Sequence, residues 1–271
     1  MGHVWAVSTN KGGVLKTSIT TNLGGILAEK GYKVLIIDTD NQGNAALTFG
    51  KNPDLFENTV YDVLMGLAAE AAIINVYSDS KSKGLIDLLP SNDDMAFLEF
   101  DVLTQQDLYK NPFHLLGQAV NHLKNKYDYI LIDSPPNLGL TAGNVLSFAD
   151  SVLIPFQPEN YSMRSLVKIL QAISNFKTEN NSNLNVLGVV ATLVDTRTTL
   201  HGQVLQECRK YCLENKISMF ETVIPRSVRF ASSVAYESLP ATLSSDKNNK
   251  VVLSYHELLD EISEKGSELI G

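Results

Sequence analysis

Short apolar runs of Val, Ile and Leu recur along the chain with helix-length amphipathic segments between them, and this alternation constrains the fold more than any other feature. A strand buried on both faces reads as a near-continuous apolar run, and such strands separated by helices build a parallel sheet covered on two sides. The clearest runs are Val4–Ser8, Lys33–Asp38, Tyr129–Asp133, Ser151–Pro155 and Asn185–Val194. Between the first two, Ile19, Leu23, Ile26 and Leu27 share one helical face and Lys30-Gly31 supplies a stop, which predicts a helix over Thr17–Lys30. The expected class is α/β, a three-layer sandwich around a mostly parallel central sheet.

With 271 residues, the chain is of a size that one large core can organise. The polar stretches Thr178–Asn183 and Ser244–Lys250 read as surface loops rather than linkers, and no internal repeat interrupts the pattern, so one domain over residues 1–271 is expected. No segment precedes the first strand, so an appended helix-turn-helix is not expected there. The composition, 44% hydrophobic and 19% charged, excludes a disordered chain, and no apolar run approaches the roughly 18 residues of a spanning helix. The first residues carry no secretory pattern, and a cytoplasmic location follows as the expectation. Cys208 and Cys212 sit four apart in a helical-looking stretch without other metal-ligand spacing, and read as buried small side chains. The net charge of −8 excludes a chain that coats nucleic acid with its whole surface, so any such contact needs a local basic patch.

The segment Lys11-Gly12-Gly13-Val14-Leu15-Lys16-Thr17-Ser18 lies between the first strand and the first helix. Exposed backbone N–H groups and the helix dipole make that junction an anion site, where a nucleotide's phosphates belong. Lys16 is placed to reach the β- and γ-phosphates and Thr17 to ligate Mg²⁺. Two further strands end in carboxylates: Val34–Ile37 runs into Asp38-Thr39-Asp40-Asn41-Gln42-Gly43-Asn44, and Tyr129–Ile132 into Asp133-Ser134-Pro135-Pro136. Ligands of open α/β sheets bind beyond such strand ends.

With a second lysine at position 11 and Lys16-Thr17 following, the loop resembles the deviant Walker A motif. The Asp38–Asn44 turn resembles the second-strand motif of the same family, with Asn41 where that motif has Pro, and Asp133 fits the Walker B position. Together these features resemble the ParA/MinD (deviant Walker) ATPases. Leu85–Asn92, Val152–Glu159, Thr192–Arg197 and Ile224–Arg229 look like segments of the ParA (Soj-like) DNA-partition branch, so the likeness covers about residues 3 to 240.

The resemblance implies a phosphate-loop nucleotidase fold in which two subunits sandwich two ATP molecules. Lys11 then reaches the partner's phosphates, tying hydrolysis to dimerisation, with Mg²⁺ as cofactor. Asp40 is expected to position the attacking water, Asp38 to support it and the outer shell of the Mg²⁺, and Asp133 to hold the hydration shell. Pro225-Arg226 matches the stretch that packs against the base. Leu15 departs from the family, which has Gly before the loop lysine. Either its side chain crowds the phosphates, or the residue has helical angles and its side chain points into the protein.

All five arginines fall in the second half of the chain. By the same resemblance Arg197 and Arg226 match positions implicated in sequence-independent DNA binding, with Arg229 close by. A tail running from Ser254 carries an apolar stripe of Tyr255, Leu258, Leu259 and Ile262, with five acids against one base, Lys265. Anionic lipid would repel it, so it reads as a helix docked on the body. The expected function is that of a partition ATPase. Its ATP homodimer binds nucleoid DNA without sequence preference and is released when a ParB-like centromere-binding partner stimulates hydrolysis. A nucleotide-sensing scaffold impaired at Leu15, or a positioner of another cargo, is the alternative.

Overall fold

The structure is a computed structural model. It describes residues 1–270 except Gln106 and Thr196, and the side chains of Arg229, Ala231 and residues 266–270 lie outside the described set. In chain order the strands are β1 His3–Val7, β2 Lys33–Asp38, β3 Ile74–Ser78, β4 Leu85–Leu89, β5 Tyr129–Asp133, β6 Ser151–Phe156, β7 Asn185–Val194 and β8 Met219–Pro225. The helices are α1 Lys16–Glu29, α2 Asn44–Thr48, α3 Val60–Leu64, α4 Leu98–Thr104, α5 Leu115–Val120, α6 Leu140–Phe148, α7 Ser162–Glu179, α8 Thr199–Glu214, α9 Arg229–Glu237 and α10 Lys250–Ile270.

These strands form one sheet in the order β3-β4-β2-β5-β1-β6-β7-β8, in which only the edge strand β3 runs antiparallel to its neighbour. The period-2 alternation of each central strand sorts its side chains between two cores. Leu35, Ile37, Ile130, Ile132, Val152 and Ile154 face one layer with α3 to α8, while Val34, Ile36, Leu131 and Leu153 face the other with α1, α2, α9 and α10. The sandwich expected from the apolar runs is present, and the strand bounds shift by one residue at most. Cys208 and Cys212 are buried on α8 within the first of these cores.

The tail is helix α10, and its stripe is covered: Val252, Tyr255, Leu258, Leu259 and Ile262 are all buried. Glu261 accepts hydrogen bonds from the backbone N–H groups of Glu221 and Thr222, at 2.8 and 2.7 Å, so a carboxylate fastens the helix to strand β8. Among the described residues no helix is long and apolar enough to cross a membrane.

Strand register positions the chemistry. Asp38 at the end of β2 is the Cα partner of Asp133 at the end of β5, and Val7 at the end of β1 pairs with Asp133 from the other side. The chain leaving β1 therefore turns into α1 directly above two carboxylates.

Candidate nucleotide site

Helix α1 begins without a side-chain cap and without an acidic residue in its first turn. Its first N–H groups have no intrahelical acceptor, and the positive end of the helix dipole is left for a ligand. Gly13, with φ +71°, turns the loop, and an added Cβ there would meet nothing within 4 Å. Leu15 is the N-cap and has φ 70° and ψ 25°, the left-handed conformation. This corrects the helical-angle alternative: Leu15 takes the conformation that glycine adopts freely, at a cost of about 1–2 kcal/mol for an L-residue. Its half-buried side chain packs against the second core cluster while also bordering the cleft.

The cleft has a volume of about 790 Å³, within the range of small-molecule sites. Gly12 to Ser18 form its floor, Asp40 to Gln42 and Asn44 one side, and Phe230, Val234, Pro240 and Ala241 the far wall. Lys16 is buried; its Nζ donates to the Lys11 carbonyl at 3.3 Å. Burial pulls its pKa down, opposed by Asp133 and Asp40.

Beneath the floor, Thr17 Oγ1 donates to Asp133 Oδ2 at 2.5 Å. Asp38 accepts from the backbone N–H groups of Asp40 and Ala45, both at 3.0 Å, and so shapes the turn that carries Asp40. Burial and the neighbouring Asp133 raise the Asp38 pKa well above the ordinary carboxylate range. Burial likewise lifts Asp133 to about 7, with Thr17 and Lys16 pulling it down. Asp133 Oδ1 is buried with no hydrogen-bond partner among the described residues. A hydroxyl and an unsatisfied carboxylate oxygen below an anion site fit a hydrated Mg²⁺, which takes few protein ligands and keeps several waters. Among the described residues no group of three or more His, Cys, Asp or Glu side chains is gathered for a metal.

The remaining sequence candidates fall elsewhere. Lys11 is not part of the cleft wall; its Nζ donates to Glu159 Oε2 at 2.8 Å and Ser162 Oγ at 3.3 Å. Pro225 and Arg226 do not line the cleft, whose far wall comes from α9 and the segment just after it. Arg197 is exposed but bound through Nε and Nη2 to both oxygens of Asp195, at 2.9 and 2.8 Å. Arg226 is exposed and lies near enough to Glu159 to help lower that carboxyl's pKa, after Lys11. The side chain of Arg229 lies outside the described residues.

An uncapped helix end, paired carboxylates and a buried lysine are the parts of a phosphate-loop nucleoside-triphosphatase fold. Residues 2–186 match the family model described as an AAA domain. The chain is 34% identical to the sporulation initiation inhibitor protein Soj of Bacillus subtilis, over 98% of this chain and 100% of Soj. It is 33% identical to the chromosome partitioning protein ParA of Myxococcus xanthus, over 87% and 80% of the two chains. It superposes with a TM-score of 0.81 on cobyrinic acid a,c-diamide synthase of Mycobacterium smegmatis, solved with ADP and magnesium, at 29% identity and covering 98% and 96%. The chain belongs to the ParA family of deviant Walker nucleotidases.

Two outcomes follow from this geometry. Leu15→Ile places a β-branched residue at positive φ and is expected to lower the unfolding midpoint by about 3–6 °C, whereas Leu15→Gly binds nucleotide at least as well as the wild-type chain. An unchanged midpoint for Leu15→Ile contradicts the strain assigned to this position. The second concerns pH. Asp133 keeps a proton in the fold at pH values where the unfolded chain has lost it, so its contribution is full in acid and lost as pH rises through about 7, and Asp38, also raised, acts in the same direction. Without ligand, thermal unfolding should therefore shift to lower temperature between pH 5.5 and 8. Asp133→Asn should flatten that slope, raise the midpoint at pH 8 and abolish Mg²⁺-dependent nucleotide binding; a slope identical to wild type would remove the buried-carboxylate account.

Proposed function

We propose that the chain is an ATP-dependent DNA-partition ATPase that uses ATP and Mg²⁺ as a switch. The observation that carries this reading is the Lys16–Thr17–Asp133–Asp38 cluster beneath an uncapped helix end, with a second lysine, Lys11, standing outside the same cleft. Lys16 and the α1 N–H groups hold the phosphates, Thr17 and Asp133 would hold Mg²⁺ and its waters, and Asp40 orients the attacking water. A bound Mg²⁺ supplies charge neutralisation at the β- and γ-phosphates.

Lys11 is available for a second copy. Its bond to Glu159 joins side chains that are 26% and 42% exposed, and pairs of this kind are worth little, so a neighbouring subunit's phosphates can outcompete it. Tyr161, beside that bond, is 87% exposed and holds φ +67°. Backbone strain of this kind concentrates where a surface has a job to do. Two chains meeting through this face would supply each other's lysine and bring two sets of arginines together.

DNA contact falls to Arg226, Arg229 and Arg197, of which Arg226 is exposed and Arg197 must first leave Asp195. A partner that carries a basic segment suits the acidic surface. Residues 91–109 contain five carboxylates and no lysine or arginine, and Phe97, Phe100, Leu103 and Leu108 on that stretch are exposed. A cytoplasmic, nucleoid-associated protein released from DNA by partner-stimulated hydrolysis is the cycle this implies.

Lys11→Ala is expected to bind Mg²⁺-ATP as a monomer within about threefold of wild type while losing stimulated hydrolysis; normal stimulated turnover would remove the trans-lysine step. Arg226→Ala should weaken ATP-dependent binding of non-specific duplex DNA. It should also flatten log K against log salt by one contact per subunit, a change of about 0.9 per phosphate. An unchanged isotherm would move the DNA surface elsewhere.

A further inference from the structure

The C-terminal helix reaches the phosphate loop through one hydroxyl. Tyr255 on α10 is fully buried, its ring edge packs against Phe230 with centroids 5.2 Å apart, and its hydroxyl lies 2.8 Å from Ser18 Oγ. Ser18 stands in the first turn of α1 and lines the cleft. Its hydroxyl has a second neighbour in Asn22 Nδ2, at 3.4 Å, and the same amide nitrogen donates to the Ser18 carbonyl at 2.7 Å. Asn22 Oδ1 accepts from the Thr242 backbone N–H at 2.9 Å, which fixes the amide with its nitrogen toward Ser18.

The direction of the tyrosine bond follows from counting hydrogens. A serine hydroxyl has one hydrogen and two lone pairs, and an amide nitrogen can only donate. If Ser18 donated to Tyr255, the phenol's own hydrogen would be left buried with no acceptor among the described residues, which costs a desolvated donor. If Tyr255 donates instead, both lone pairs of Ser18 are occupied from the protein side and its single hydrogen is left for the cleft. Burial raises the Tyr255 pKa, so the phenol keeps its proton and remains a donor at neutral pH.

We propose that Tyr255 is a positioning residue for nucleotide binding: its hydroxyl donates to Ser18, and Ser18 in turn donates its one hydrogen to a phosphate oxygen in the cleft. The inference rests on the nucleotide reading of the cleft. It makes the docked C-terminal helix part of the phosphate site, because the helix supplies the group that orients a loop side chain. The same residue braces the far wall through Phe230, so phosphate floor and wall are held by one side chain.

The test is titration of a fluorescent ATP analogue with Mg²⁺ into the full-length wild type, Tyr255→Phe, Ser18→Ala and the double variant. Tyr255→Phe keeps the ring and its contact with Phe230, so its nucleotide-free unfolding midpoint reports any general loss of packing. Each single variant is expected to raise Kd about five- to tenfold. The double variant should bind no more weakly than Ser18→Ala, because the tyrosine acts only through the serine. Wild-type affinity in Tyr255→Phe, or losses that multiply in the double variant, would overturn the relay while leaving the nucleotide reading intact. Failure of the wild-type chain to bind at millimolar analogue would overturn that reading and the relay with it. Should Tyr255→Phe not fold, a fluorinated tyrosine at 255 retains the hydroxyl. Its ¹⁹F resonance is expected to move on addition of Mg²⁺-ATP, and a resonance that stays fixed at saturation would contradict the relay.

Discussion

Two carboxylates buried side by side are the constraint on which the rest of the site depends. Register makes Asp38 and Asp133 partners across β2 and β5, and both side chains are fully buried. Such a pair is costly unless something positive or hydrogen-bonding answers it. The fold answers in parts: two backbone N–H groups cover Asp38, the Thr17 hydroxyl covers one oxygen of Asp133, and Lys16 is buried close by. One oxygen of Asp133 is left over. In the proposed nucleotide site that oxygen would face the hydration shell of a bound Mg²⁺.

The loop above that pair is organised by the same economy. No side chain caps α1, so its N–H groups wait for an anion, and Leu15 accepts a left-handed backbone to let the chain turn into the helix. Meanwhile Lys11 is parked on Glu159, outside the cleft, by a bond weak enough to break. In the proposed cycle Lys11 would leave that bond and serve the nucleotide of a neighbouring subunit. Glu159 also feels Arg226, so the residue that holds Lys11 and the leading candidate for DNA contact share one electrostatic neighbourhood.

Much of this was legible in the sequence, and for identifiable reasons. Apolar runs report strands because a doubly covered parallel sheet leaves no polar face, and the run at Tyr129–Asp133 matched β5 residue for residue. Lys16 and Thr17 could be picked out as candidates because loop chemistry is local in the chain, and Asp40 through the family resemblance of the strand-end motif; the structure places all three along one cleft and the cluster beneath it. What could not be read depends on tertiary approach. Phe230, Pro240 and Tyr255 are more than 200 residues from the loop they complete, and nothing in their local pattern separates them from ordinary core. The conformation of Leu15 was hidden because a leucine at positive φ breaks the usual rule, and the structure shows the glycine-like turn kept despite the side chain. Arg197 was visible as a charge but not as a charge already bound to Asp195.

Binding of non-specific duplex DNA, followed as a function of Mg²⁺ with ATP or ADP, is the experiment that bears on the proposed nucleotide switch. ATP with Mg²⁺ is expected to produce binding with a steep dependence on salt and a protein dimer on the DNA, and ADP to produce neither. Equal DNA binding with ATP, ADP or no nucleotide, or no nucleotide in the cleft at millimolar concentration, would contradict it.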